Sequence, residues 1–296
     1  MKSYDPKSLH IRDLHGLLLG AVGPRPIALA STVSKDGKEN LSPFSFFNVF
    51  SANPPLLIFS PARRGADNTT KHTYENVKEV PEVVVNIVNY AITYQMVLSS
   101  ANYDRGVNEI AKAGFTALDS DLIRPKRIAE SPVQFECKVK EVIELSDGPA
   151  SGNLIMAEVV KIHIHEDILM ENGKIDQQKI DLVGRMGGNT YIRAIKESLF
   201  EIERPNDDNL SFDRIPSDIL RSKILSGNDL ARLANCSSIP DETEVNEYKL
   251  IEISSLFIDF EEDPVGLENA LHSKAKGLIS SGKIEEAWMC LLSFND

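Results

Sequence analysis

From Arg25 onward the chain alternates in steps of two. Ile27, Leu29 and Ser31 fall on one side of an extended segment, and Ala28, Ala30 and Thr32 on the other, which predicts a strand. Asp36-Gly37 predicts a tight hairpin turn after it, because the glycine accepts the positive φ that such a turn requires. Pro54-Pro55 then makes a rigid stop, and Leu56 to Ser60 predicts a second strand rich in sheet-forming residues. Between the two lie Ser42, Ser45, Asn48 and Ser51, interleaved with Phe44, Phe46, Phe47 and Phe50. This stretch reads as a long aromatic and polar connection.

Further along, Glu82 to Val88 is almost uninterruptedly apolar, as in a strand buried on both faces. Residues 91–104 predict a helix with Ile92, Met96 and Val97 facing inward, and residues 106–115 a short helix stopped by Gly114. Three strands follow, over 133–145, 153–167 and near 182–184. In the first, Phe135, Cys137 and Val139 alternate with Gln134, Glu136 and Lys138, the signature of a half-buried antiparallel sheet. Residues 1–23 have helical spacing at Leu14, Leu17 and Leu18 and read as a packing segment.

The pattern changes after residue 195. Residues 203–218 are polar and turn-rich, a predicted linker. Ser226 and Asp229 have capping-box spacing ahead of a short helix. Residues 266–294 predict two helices parted by Ser280-Ser281-Gly282; in the second, Ile284, Ala287, Trp288, Leu291 and Leu292 form an apolar stripe. The pair faintly resembles one tetratricopeptide-type unit, and a single such pair cannot bury a core alone. The tail is therefore expected to dock on the preceding domain or on a second subunit, with recruitment of another protein as the alternative.

With 296 residues, one large domain plus an appendage is expected. The net charge of −12 is uneven: residues 1–194 carry 22 Lys+Arg against 23 Asp+Glu, and residues 195–296 carry 10 against 21. So acidic a tail argues against nucleic acid and anionic membranes as partners; solubility alone accounts for it. The first ten residues lack the apolar core of a signal peptide, and no stretch approaches about 20 apolar residues. Cys137, Cys236 and Cys290 are odd in number and widely spaced, which suits reduced structural thiols in a cytoplasmic protein.

Two stretches carry candidate chemistry. Hydroxyls and amides alternating with rings over residues 42–51 suit a flat, partly polar aromatic ligand, although ordinary core phenylalanines have the same pattern. Arg63, Arg64 and Lys71 flank Gly65 and precede Thr73, which stands where an N-cap would for a helix containing Tyr74, Val77 and Val80. Such a loop suits a phosphate monoester, through charge-assisted hydrogen bonds and the helix dipole; a solvated basic loop is the alternative. His10 and His15 are off the spacing that shares a helix face. His163 and His165 share a strand face, with no third ligand near them in sequence, so no metal is expected. A G-x-G-x-x-G dinucleotide fingerprint is lacking.

The order of these residues resembles the flavin reductase-like family, split-barrel flavoproteins that bind FMN. The matching blocks are Arg25–Thr32, Asp36–Asn48, Pro54–Ser60, Lys71–Asn76, Val83–Val88, Ser131–Cys137 and Gly184–Tyr191. The resemblance implies a mainly β fold with helices, a six-stranded antiparallel split β-barrel over residues 1–200, with a helical acidic extension over 201–296. It implies a homodimer with FMN in the groove between subunits, and NADH or NADPH as hydride donor in a flavin reductase reaction. Ser31 and Thr32 would then meet the flavin edge or ribityl chain, and Ser45, Asn48 and Ser51 the pyrimidine side. Arg63, Arg64, Lys71 and Thr73 would hold the phosphate. Where many members read Lys-Asp-Thr, this chain has His72 in place of the aspartate. A histidine near His163 can lie at the nicotinamide side in the family, and Arg185 and Tyr191 match its closing motif. The alternatives are a flavoredoxin-like electron carrier without nicotinamide, a reductase of another small electrophile, and an empty, non-catalytic barrel. The sequence does not identify a partner oxygenase or electron acceptor.

Overall fold

In the computed structural model, which describes residues 1–202, 204–205 and 210–294, the alternation after Arg25 becomes four strands rather than two. These are β1 (Ala28–Val33), β2 (Glu39–Phe44), β3 (Phe47–Ala52) and β4 (Pro55–Phe59). Gly37, at φ +83°, turns β1 into β2 as expected. The stretch read as a connection is strand almost throughout. The reason lies in its own pattern, since ring and polar residues alternating at period two suit a pleated surface.

The main sheet adds β5 (Glu82–Ile87), β8 (Val133–Glu144) and β9 (Asn153–Ile164), in the order β2-β1-β5-β8-β9-β4-β3 and antiparallel throughout. Short pairs stand apart from it: β6 (Ala117–Leu118) with β7 (Arg127–Ile128), and β10 (Val183–Arg185) with β11 (Tyr191–Arg193). Strands β2 and β3 occupy opposite edges, yet only Ser45-Phe46 joins them. Three Cα–Cα steps span at most about 11 Å, so the sheet must roll until its edges meet at that link. Phe44 of β2 stacks on Phe59 of β4 at 5.6 Å between ring centroids. The edges carry no mutual ladder, so the roll stays split. The expected six-stranded barrel is thus corrected to a seven-stranded, unclosed sheet, the extra strand coming from the phenylalanine-rich stretch.

Inside the roll, Ala28, Ala30, Phe44, Leu57, Phe59 and Ile155 share one core. On the opposite face, Ile27, Leu29 and Leu41 pack on Ile92, Met96 and Ile110. Strand β1 is therefore buried on both sides. Helices α2 (His72–Glu79), α3 (Thr93–Leu98) and α4 (Glu109–Lys112) belong to this unit, and Gly114 at φ +70° follows the last of them. Val97, expected inward, is exposed: Ile92 and Met96 already fill the inner face of that short helix. Helix α1 (Ile11–Ala21) packs lightly: none of its residues is fully buried, Leu14 and Leu19 are half-buried, and His15 meets the Phe46 ring edge-on at 6.4 Å between centroids. Arg25 Nη1 holds its end, donating to the Leu19 carbonyl at 2.8 Å and to the Val22 carbonyl.

The chain divides into two units, Met1–Phe200 and Glu201–Asp296. The second contains α5 (Ser217–Leu220), α6 (Gly227–Ala234), α7 (Glu242–Glu252), α8 (Ser254–Asp259), α9 (Pro264–Ser280) and α10 (Ile284–Leu292). Ser226 and Asp229 form the expected capping box. The final helix pair does not stand alone, because Leu230, Leu233, Leu271, Ile279, Trp288 and Leu291 from α6, α9 and α10 form one core. Trp288 Nε1 donates to the Leu233 carbonyl at 3.1 Å, satisfying the indole within it. The predicted linker falls partly on Glu203 and residues 206–209, outside the described residues; its end is helical from Ser217. Among the described residues no helix is long and apolar enough to cross a membrane. All three cysteines are free, and burial pushes the Cys137 and Cys290 thiols up to about 12, far from reactive thiolates.

Candidate functional site

Between β4 and α2 the chain folds back on itself as a basic loop. Arg63 N donates to the Ser151 carbonyl at 2.8 Å, and Arg64 N to the Thr69 carbonyl at 2.8 Å. The Arg63 guanidinium grips Asn68, from Nε to Oδ1 at 2.8 Å and from Nη2 to the carbonyl at 2.7 Å. The Arg64 guanidinium reaches the Thr69 hydroxyl at 2.9 Å and the Thr70 carbonyl at 2.5 Å. Lys71, not Thr73, is the N-cap of α2, since its carbonyl accepts from both Tyr74 N and Glu75 N. Thr73 therefore lies inside the first turn.

Lys71 is the cation of this loop left over. Its ammonium has no hydrogen bond or ion pair among the described residues. Burial first, then the nearby Arg64 guanidinium, pulls its pKa below the ordinary lysine value, with Asp67 opposing. His72 beside it is likewise lowered, by burial first and then by Arg64, Arg105 and Lys71 against the opposing Glu75. The half-buried Lys71 ammonium beside the Arg64 guanidinium, with Asp67 opposing, makes a place where an anion relieves electrostatic strain.

The hydroxyls of Thr32 and Thr73 meet in a buried network behind the loop. Asn40 Nδ2 donates to Thr32 Oγ1 at 3.2 Å and to Thr73 Oγ1 at 3.0 Å, and Asn76 Nδ2 donates to Thr32 Oγ1 at 3.1 Å. Ser31, next along β1, points the other way and donates to the Lys126 carbonyl. All three residues are at most 1% exposed, so their oxygens are already committed within the protein. The bonds among Thr32, Asn40, Thr73 and Asn76 fix α2 against β1 and β2. Nearby, the buried Glu109 carboxylate accepts from Leu41 N at 3.0 Å, and burial holds its pKa above the usual carboxylate range.

Ser45 sits half-buried on the link where the sheet edges meet; Asn48 and Ser51 belong to β3. Asn48 pairs with Ile58 and Ser51 with Leu56, with a bulge between Val49 and Ser51. That one extra residue re-phases the strand and sets Asn48 and Ser51 on the same face. Asn48 is exposed, its Oδ1 accepting from Val49 N at 2.8 Å. Ser60 went unnoticed in the sequence. It is buried, and its Oγ has no partner among the described residues. Its N–H donates to the Phe46 carbonyl at 2.9 Å, which joins the Arg-rich loop to the β2–β3 link. The only sequence signal for it is its place between the strand Leu56–Phe59 and that loop.

His163 does have potential partners, contrary to expectation. Its Nε2 lies 2.7 Å from Glu136 Oε1, and Asp121, Glu136 and His163 have ligand atoms within 4.8 Å of one another. The pairing of β8 with β9 and the loop at 121–122 bring them together, which sequence distance conceals. The group already has its own cations and donors. Lys161 pairs with Asp121, and Arg127 Nε stands 4.0 Å from Glu136. Asp121 N and Leu122 N each donate to Glu136 at 2.8 Å. Burial opposes ionisation of Glu136, but these donors and His163 outweigh it and hold the pKa below its usual range. The arrangement is a brace for the 121–122 loop. Arg185 plays a similar part, donating to the Tyr191 hydroxyl and, at 2.5 Å, to the Gly188 carbonyl.

A family profile described as "Flavin reductase like domain" matches residues 21–178. The chain belongs to the flavin reductase-like family. It is similar to nitrilotriacetate monooxygenase component B from Bacillus cereus, at 30% identity and a TM-score of 0.64, over 68% of this chain and 98% of that one. It is also similar to 2-nitrobenzoate 2-nitroreductase from Pseudomonas fluorescens, at 27% identity and a TM-score of 0.60, over 68% and 96% of the two chains. A protein of Aquifex aeolicus is 39% identical over 189 residues, 64% of this chain and 94% of that protein. The flavin reductase-like match includes the basic loop, the Thr32–Asn40–Thr73–Asn76 network and β3. It ends before α5.

Proposed function

We propose that the flavin reductase-like unit binds FMN and uses it to accept hydride from NADH or NADPH. The observation that carries this reading is the unpaired Lys71 beside Arg64 on a loop within the family match. The donor set fits a phosphate monoester: one free ammonium, one guanidinium and the start of an eight-residue helix that no side chain caps.

Bound FMN would supply the redox chemistry, accepting hydride from a reduced nicotinamide. Lys71 and Arg64 would hold its phosphate, and Arg63 would shape the loop that presents them. Ser45, Asn48 and Ser51 would meet the ring's polar edge. Thr32 and Thr73, already bonded to Asn40 and Asn76, would keep α2 and its N-terminus in register with β1; Ser31 would support the strand from the other face. No protein acid or base is required, because positioning is the protein's share of a hydride transfer.

The edge strand β3 supports a homodimer. Val49 and Phe50 are 63% and 62% exposed there, an apolar edge beside Asn48 that a second copy would cover. A second reading, reduction of a small electrophile by the bound flavin, draws support from the similarity to a nitroreductase. Anaerobic mixing of the FMN-loaded protein with NADH or NADPH distinguishes these from an electron carrier. Bleaching of the flavin spectrum by either nucleotide is the expected result; an unchanged spectrum with both would reject a nicotinamide-dependent reductase. Turnover of a nitroaromatic after bleaching would favour the second reading.

A further inference from the structure

The C-terminal unit carries a feature that flavin chemistry does not use. A groove of about 290 Å³ is lined by Glu244, Glu247, Tyr248, Ile251 and Glu252 of α7 and by Met289 of α10. The α7 residues recur at three- and four-residue intervals, so they form one continuous face of that helix. In this groove Ile251 is 77% exposed, Tyr248 is buried and Met289 is half-buried. Around this apolar strip stand three carboxylates. Glu244 accepts from Asp241 N at 2.9 Å in a capping box, which leaves its charge intact. Glu247 and Glu252 have no ion-pair partner among the described residues. Of the lysines near them, Lys274 Nζ donates to the Glu252 backbone carbonyl at 3.5 Å, Lys283 pairs with Glu286 at 2.8 Å while also feeling the Glu252 charge, and Lys249 lies over the Phe257 ring.

We propose that this groove docks an amphipathic helix of a partner protein, one that carries lysine or arginine on both flanks of an apolar stripe. The apolar strip supplies the burial and the glutamate rim the selectivity, which is the helix-in-groove mode of recognition. Charge decides between occupants. A second copy meeting this face with its own would set carboxylates against carboxylates, and residues 195–296 hold 21 acidic groups against 10 basic ones. From Glu244 to Glu252 the face runs about 12 Å, two to three turns of a docked helix.

The test uses the full chain and a labelled synthetic peptide of about 18 residues, roughly 27 Å of helix, with leucines at helical spacing and lysines on both flanks. Its counterpart has glutamates in place of the lysines. Binding is read by fluorescence anisotropy, and the emission of Trp288, the only tryptophan, confirms that each variant is folded. Expected are saturable binding of the lysine peptide that weakens with salt, about a tenfold or greater loss in Glu247→Lys/Glu252→Lys, a similar loss in Ile251→Asp, and no binding of the glutamate peptide. No binding of the lysine peptide, equal binding by the variants, or equal binding of the glutamate peptide would overturn the proposal. So would self-association of the chain that Ile251→Asp abolishes, since that would make a second copy the occupant.

Discussion

Arg63 donates twice to Asn68, once to its side chain at 2.8 Å and once to its carbonyl at 2.7 Å. Asn68 sits at φ 57°, a left-handed conformation that asparagine tolerates better than most residues. The guanidinium fork thus spans both ends of one strained residue and fixes the turn of the basic loop. Among the three cations predicted to meet a phosphate, Arg63 commits two nitrogens, Nε and Nη2, to the protein, whereas Arg64 commits only Nη1.

Arg63→Ala is therefore expected to loosen the loop, lowering stability by about 1 kcal/mol and weakening FMN several-fold. Arg63→Lys should not rescue it, because a single ammonium cannot make both contacts in the same plane. Flavin fluorescence quenching measures the affinity. Full recovery by lysine would mean that charge alone matters at this position.

Asn40 bridges Thr32 and Thr73, and its loss strips the Thr73 hydroxyl of its donor in a fully buried site. Asn40→Ala should cost about 1–3 kcal/mol, read as a lower midpoint in urea denaturation. An unchanged midpoint would show that the network does not hold α2 to β1 and β2.

Much of this was legible from pattern alone. The β1–β2 hairpin, β5 and the Ser226–Asp229 capping box follow from period, turn chemistry and helix-end chemistry, which are local. The Phe44–Phe50 stretch, expected as a connection between strands, is itself strand almost throughout, because its alternation of rings and polar residues is also the period of a strand. The roll of the sheet was not legible, since it depends on β2 and β3 lying at opposite edges while two residues join them. The meeting of His163 with Glu136 and Asp121, and of Asn40 with Thr73, depends likewise on strand order and not on spacing. Which cation stays unpaired in the basic loop is a matter of side-chain geometry, invisible in the composition of the loop.

Glu109 makes stability depend on pH in a defined direction. Burial raises its carboxyl above the ordinary 4.5, so the folded chain binds this proton more tightly than the unfolded chain. Its contribution is complete below about 4.5 and is lost as pH rises through the folded value. Glu109→Gln keeps an acceptor for Leu41 N and removes the charge. The variant should melt at a higher temperature than the parent near neutral pH, with the gap closing at acid pH. A variant less stable than the parent at neutral pH would contradict this sign.

The most direct test of the account compares FMN with riboflavin, which differ by the phosphate, on the parent chain and on Lys71→Ala. Calorimetric titration should show FMN binding weakened about tenfold or more by the substitution, as expected for a lost charge-assisted contact of about 1.5–3 kcal/mol, with riboflavin affinity unchanged. Equal losses for both ligands, or no loss for FMN, would place the phosphate away from Lys71 and contradict the assignment of this loop.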